Sequence, residues 1–453
     1  MTAVPRPPAS LIDRGRSPSR RLARALAPFL ILLAAGPGAQ AAPLAHREVL
    51  PGGTVLLVAE RPAIPIAVVS VYLRAGSAYD PADGDGLANL TASVITRGTA
   101  RRGGPELDRA IEFVGGSLEA GAARDGATVS LSVLRKDLAL GLELLTEVLI
   151  EPAFPDAEVK RRIADIQGGL RRAEQSPGTV ASRALTRLLY PGHPYGHPVS
   201  GTIESVGQLT REQVVRFHRA HYRPDTAVVV AAGAVTVAEI RTWLLARLAV
   251  WKPPAAAPTV IPVASINPPV ESRTIARDLT QATILKGRPA VTQHHPDYFP
   301  LVVANQILGG GSSSRVYKRV RDERGLAYSV GSWLSPAPFG PSMMVSLQTR
   351  TDEAAEAVRL IGEEMRRMQQ APVSAAELDL ARSYLIGSFP LRLDTTGKVV
   401  RFLVGLEESG LGLDYPDRYK DRVGRVTAAD VLRVAGIYFD PDRFSTVTVG
   451  KEP

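Results

Sequence analysis

The chain has no cysteine among its 453 residues. Disulfides, thiolate-bound metal and a thiol nucleophile are therefore all excluded. Histidine is sparse too, at seven residues: His46, His193, His197, His218, His221, His294 and His295. His218 and His221 stand three apart on a helical stretch, a tolerable ligand spacing, but His221 falls on its apolar stripe. The pair reads as one half-buried and one solvated histidine rather than a metal site. His193 and His197 sit in a turn-rich loop, and His294-His295 at the start of a helix. No run of basic residues interleaved with aromatics is present. The formal charge of +9 includes six Arg against one Asp in residues 1–41, which leaves +4 for the remainder. Nucleic acid is thereby excluded as a partner. The run Gly309–Ser314 is followed by no Lys-Ser/Thr, so it is not a phosphate-binding loop and reads as a hinge before a helix.

Several features that are present organise the chain. Arg6, Arg14, Arg16, Arg20, Arg21 and Arg24 precede the apolar run Ala25–Ala35, and Ala39-Gln40-Ala41 supplies small residues for cleavage. This reads as a secretory signal over 1–41, and predicts an exported, periplasmic protein. The apolar run falls short of the ~20 residues that span a bilayer, so no stable membrane span is expected. Arg20-Arg21 leaves the general and twin-arginine export routes both open. The remaining composition, within a chain that is 45% hydrophobic and 22% charged, is that of a protein with real cores.

A Pro/Ala-rich segment, 253–269, has the composition of an extended linker and separates residues 42–252 from 270–453. The two halves end alike. Thr210 and Thr427 each precede a helix, Pro224 and Pro441 each follow an aromatic, and Gly233 and Gly450 each close an apolar strand, at a constant offset of 217. Thr is a good helix N-cap, and Ser374-x-x-Glu377 has the form of a capping box. Leu138, Leu142, Leu145 and Leu149 make a helical stripe in the first half; Ala354, Val358, Ile361, Met365 and Met368 make one in the second. Strands are predicted at 54–59, 67–73 and 128–133. The pattern predicts an α+β fold of two homologous domains, each a mostly antiparallel sheet covered by helices on one face.

With the repeat established, a set of ordered landmarks acquires meaning: Gly76-Ser77, Gly86-Leu87-Ala88, Gly98-Thr99, Gly115-Gly116-Ser117, Glu151-Pro152-Ala153-Phe154, Gly309–Arg315 and Arg321–Ser329. In this order the chain resembles the pitrilysin/insulinase-type zinc peptidases, in the two-domain branch that includes the mitochondrial processing peptidase. The resemblance implies half of a clam-shell chamber. It also implies that Gly-Leu-Ala should lead into H-x-x-E-H, whose His pair binds zinc while the Glu polarises its water. Here Asn89 and Ser93 stand at the His positions and Ala92 at the Glu position. Gly169 stands where a downstream Glu would complete the shell. None of the four suits its task, so no cofactor is expected in this chain.

The second half retains what the family uses there. By pattern alone Arg321 belongs to an exposed charged helix and Tyr328 starts a buried strand. The resemblance implies instead that Arg321 and Tyr328, seven apart, reach across the chamber to a substrate; Arg324 is the competing candidate, and its place beside the Gly325 turn fits a packing or partner-contact role better. It further implies a partner chain that carries H-x-x-E-H and its zinc, and unfolded peptide as substrate. Glu119 stands on the expected substrate-receiving strand where members often have Asn. The alternative implied by the family is an inactive binding or scaffold subunit.

Overall fold

The computed structural model describes residues 43–451; the segment read as an export signal lies outside them. In the first half, strands β1 (His46–Val49), β2 (Val55–Glu60) and β3 (Ile66–Leu73) precede helices α1 (Leu87–Val94) and α2 (Gly104–Phe113). Strands β4 (Ser117–Ala122) and β5 (Ala127–Leu134) follow, then helices α3 (Leu138–Ile150), α4 (Asp156–Ala173), α5 (Pro177–Leu189), α6 (Ile203–Gly207) and α7 (Arg211–His221). Strand β6 (Val228–Gly233) and helix α8 (Val237–Leu248) close the half. The second half runs β7 (Ser272–Ala276), β8 (Gln281–Pro289), α9 (Tyr298–Gly309), β9 (Ala327–Ser335) and β10 (Ser342–Arg350). It ends with α10 (Ala354–Gln370), α11 (Ala375–Ser388), α12 (Thr396–Glu408), α13 (Tyr415–Arg425), α14 (Ala428–Tyr438) and β11 (Ser445–Gly450).

The strand orders are β1-β2-β6-β3-β5-β4 and β7-β11-β8-β10-β9. Apart from the extra β1 they are the same sheet twice. In each, the sole parallel contact is the equivalent one, β2 with β6 and β7 with β11. Edge strands β4 and β9 are equivalent as well.

Sequence pattern explains the layers. In β5, Val129, Leu131 and Val133 are buried while Thr128, Ser130 and Ser132 alternate with them, the period of a strand covered more fully on one face. In β6, Val-Val-Val-Ala-Ala-Gly is buried throughout, so both of its faces must be covered. The first half cannot do this alone. Helix α12, from the second half, lies on β3 and β6, and α5, from the first, lies on β8 and β11. Each half lends one helix to the other's sheet. Gly287 of β8 marks the contact: a Cβ there would meet methyls of Leu189 and Leu185 at 3.0 and 3.1 Å.

Helix starts follow the local chemistry. Thr210, Ser374 and Thr427 each accept the N–H of the residue three further on, and Gln213, Glu377 and Asp430 reciprocate toward the cap backbone. Each such cap contributes about 1 kcal/mol. Segment 253–269 holds no helix or strand. It is nevertheless pinned, with Ile261 and Ala264 buried and the Ala264 N–H donating to the Phe339 carbonyl at 2.7 Å. Among the described residues no helix is long and apolar enough to cross a membrane.

Candidate functional site

Helix α1 is set by its entry. Gly86, at φ +96°, turns the chain. The Asp80 carboxylate then accepts the N–H of Gly86 at 2.9 Å and of Ala88 at 2.7 Å, satisfying donors that the first turn leaves free. Burial pushes Asp80 up to about 7, despite those two bonds. Leu87, Leu90, Ala92 and Val94 enter the core, which leaves Asn89 and Ser93 half-buried and four apart.

The metal-ligand chemistry is missing from this face. Ser93 Oγ donates to the Leu90 carbonyl at 2.8 Å, within its own helix. Ala92, at 1% exposure, is a core methyl and offers no base. Gly169 lies on α4, which packs against α1, and carries no donor. Among the described residues no three His, Asp or Glu side chains converge as a metal group would need. An amide, a hydroxyl, a methyl and a hydrogen atom do not make a zinc shell, so zinc does not fit this site.

His218 and His221 differ from the sequence expectation, since neither is solvated. Both are half-buried on α7. A ring nitrogen of His218 bonds the Leu149 carbonyl at 3.0 Å, and the His221 ring lies against Phe217 and Tyr79, with centroids 4.5 and 5.5 Å away. Burial pulls each down to about 4, with the Arg223 charge adding to the effect at His221. The His218 ring also lies against Phe154, so the end of α3 and the loop after it cover His218 while Tyr79 covers His221.

Arg321 and Tyr328 do come together. The turn that carries Arg321 is a π-helix, Tyr317–Asp322, a wide turn often found at functional positions. The Tyr317 hydroxyl accepts from Arg321 Nη1, and the guanidinium lies 4.9 Å from the Tyr317 ring and 5.9 Å from the Tyr328 ring. Tyr328 does not begin a buried strand: it is 78% exposed near the start of edge strand β9. Arg324 instead donates to Glu356 on α10 at 3.2 Å. Glu119, on the other edge strand, is exposed opposite Ser130. Tyr317 was missed by sequence reasoning, although its position four residues before Arg321 was the available signal.

The fold and α1, whose half-buried face carries no metal ligand, define a class: a two-sheet α+β chain without the means to hold zinc there. Comparison with known proteins identifies the family. Residues 55–203 match the insulinase family, peptidase family M16, and residues 208–385 match the peptidase M16 inactive domain. An uncharacterized zinc protease of Mycobacterium leprae is 30% identical over 354 residues, which cover 77% of this chain and 79% of that protein. A non-peptidase homolog of Helicobacter pylori is 23% identical over 409 residues, 89% of this chain and 94% of its own. The crystal structure of a peptidase M16 inactive domain from Pseudomonas fluorescens superposes with a TM-score of 0.85 at 25% identity, covering 90% of this chain and 98% of that one. The chain belongs to the insulinase family of peptidases.

Proposed function

We propose that this chain is the non-metal-binding subunit of an exported heterodimeric zinc peptidase. The partner carries H-x-x-E-H and the zinc, and with them the activation of water. This chain closes the chamber. Its Tyr328 hydroxyl donates a hydrogen bond to the oxyanion formed on the peptide carbonyl, and Arg321 holds a neighbouring substrate carbonyl.

The observation that carries this reading is an asymmetry. On α1 the positions of the metal motif hold Asn89, Ala92 and Ser93, whereas the second half presents an exposed tyrosine on an edge strand beside the guanidinium of Arg321. Undirected loss of function would not spare one side of a divided site. The name of the Helicobacter relative, a non-peptidase homolog, is consistent with a chain that does not cleave alone.

The test is a peptidase assay on the purified chain, alone and mixed with an H-x-x-E-H companion, with bound zinc measured in each. Cleavage by the mixture, with zinc in the companion, supports the proposal. Tyr328→Phe then lowers turnover of the complex about 10²-fold, as loss of one oxyanion donor does. Unchanged turnover in that variant overturns the assignment.

One observation favours a second reading, an inactive binding or scaffold subunit. Arg321 is already held by Tyr317, through both its hydroxyl and its ring. On this reading Arg321→Ala leaves function intact, and the mixture is no faster than the companion alone.

A further inference from the structure

Strand β8 ends against the last turn of α14, where a cavity of about 410 Å³ opens beside residues 263–267. That volume is within the range of small-ligand pockets. Its rim is apolar and open, with Val263 69%, Ile266 68% and Ile437 43% exposed. Its interior is charged: Arg288 lines it at only 9% exposure.

Arg288 has no carboxylate partner among the described residues. Nη1 donates to the Ile437 carbonyl at 3.0 Å and Nε to the Pro289 carbonyl at 3.4 Å. The guanidinium rests 5.7 Å from the Tyr438 ring and 5.9 Å from that of Phe444. The nearby acids are committed elsewhere. Asp297 pairs with Arg433 at 2.7 Å and accepts the Tyr438 hydroxyl at 3.1 Å, while Asp440 accepts the Asp442 N–H at 3.0 Å. Burial, and then the charge of Arg443, hold Arg288 below the usual arginine range, and the Asp440 charge offsets this only in part. Among the described residues its Nη2 makes no hydrogen bond. Arg443, exposed and without an ion-pair partner among the described residues, brings a second cation to the same cavity.

A cation at a helix C-terminus is favourable in itself, which accounts for the bond to Ile437. The internal repeat shows that the fold does not require it. Val71 pairs with Val229 and Lys286 with Thr446, and residues 229 and 446 are 217 apart. Leu73 is therefore the counterpart of Arg288, and Thr226 that of Arg443. The first half closes this corner with a leucine at 0% exposure. A buried guanidinium with no carboxylate bonded to it costs stability, and an anion seated on it lowers that cost.

We propose that this cavity binds the free C-terminus of an apolar peptide. The carboxylate lies on Arg288 Nη2 and Arg443, and the terminal aliphatic side chain lies among Val263, Ile266 and Ile437. The exposed Asn267 amide, at the wall, serves the peptide groups behind the carboxylate, which a simple fatty acid lacks. The site is on this chain alone and does not depend on the peptidase reading.

The experiment uses the purified full chain and a fluorescein-labelled tetrapeptide, Gly-Ala-Val-Leu, as free acid and as C-terminal amide, read by fluorescence polarisation. The free acid is expected to bind at least tenfold more tightly than the amide, and Arg443→Gln to weaken it about tenfold. Arg288→Leu, the residue type of the first half, abolishes binding while the chain still unfolds cooperatively. Equal binding of acid and amide overturns the proposal, as does failure of the acid to bind by about 1 mM or indifference to Arg443→Gln. Decanoate that displaces the peptide with equal affinity assigns the cavity to aliphatic acids and overturns the peptide assignment.

Discussion

At the scale of single residues, two half-buried histidines on α7 have a consequence for acid stability. His218 and His221 are held down to about 4 by burial. A base depressed in the folded state contributes stability that is whole above the unfolded value of 6.5. That stability is lost as pH falls toward 4, because the unfolded chain takes up protons the folded one refuses. Each histidine therefore costs about 2.5 kcal/mol between pH 7 and 4.5, at roughly 1.4 kcal/mol per unit. Asp80 works in the opposite direction: raised to about 7, it is protonated more readily in the folded state and adds stability as pH falls through the same window. The net slope of the native protein mixes these, so the informative quantity is a difference. His221→Phe keeps aromatic packing against Phe217 and Tyr79 and removes one titration. Urea unfolding at pH 7 and 4.5 should show the variant losing about 2.5 kcal/mol less than the parent. Parallel losses would mean that His221 titrates normally in the fold.

At the scale of elements, the repeat supplies matched positions whose physics differs. Gly233 and Gly450 close equivalent strands at the offset of 217. Gly233 has φ +108°, and a Cβ there would meet the Ile66 carbonyl oxygen at 2.0 Å, while at Gly450 the nearest atom would be the Ala282 Cα at 3.1 Å. Gly233→Ala combines left-handed strain with a backbone clash and is expected to cost about 3 kcal/mol, against about 1 kcal/mol or less for Gly450→Ala. Urea midpoints at unchanged m-value check this, and equal costs would refute it. The equivalence itself was legible in the sequence, because Thr caps, aromatic-x-Pro stops and closing glycines are local signals. Strands predicted at 54–59, 67–73 and 128–133 occur at Val55–Glu60, Ile66–Leu73 and Ala127–Leu134. That Ala92 offers no base was equally readable, since residue type alone disqualifies alanine. The π-turn at Tyr317–Asp322 was not, because a stripe of period 3.6 carries no mark of one widened turn. For the same reason the exposure of Tyr328 was misjudged: alternation along β9 does not reveal that the strand is an edge. The two half-buried histidines depended on contacts with Leu149, Phe154 and Tyr79, all distant from α7 in the chain.

At the scale of the whole molecule, the least legible feature is the one that binds the halves together. An amphipathic helix advertises an apolar face without saying whose sheet will cover it, so nothing in α5 or α12 announces the exchange. Only the unbroken burial of β6 hints that a second layer must arrive from elsewhere. Val228, Val230 and Ala232 of the first sheet share one core cluster with Val399, Leu403 and Leu406 of the second half. Leu185 and Leu189 of the first half in turn share a cluster with Leu285, Val447 and Val449 of the second. The two halves of the repeat thus share their buried cores, which predicts that they unfold as one body. If so, a cavity in either lent helix must weaken both sheets. Leu185→Ala on α5 and Leu403→Ala on α12, both at 0% exposure, are each expected to cost about 3 kcal/mol. Each variant should still unfold in a single transition, with tryptophan fluorescence and far-ultraviolet circular dichroism moving together. Halves of independent stability would give a different result: two transitions, of which each substitution shifts only the one that contains the sheet it uncovers. By the same logic residues 43–252 expressed alone would expose the face of β3 and β6 that α12 covers. That fragment should bind a hydrophobic dye strongly, and should lose this binding when 253–453 is supplied in trans, because the missing layer is then returned to the sheet it was built to cover.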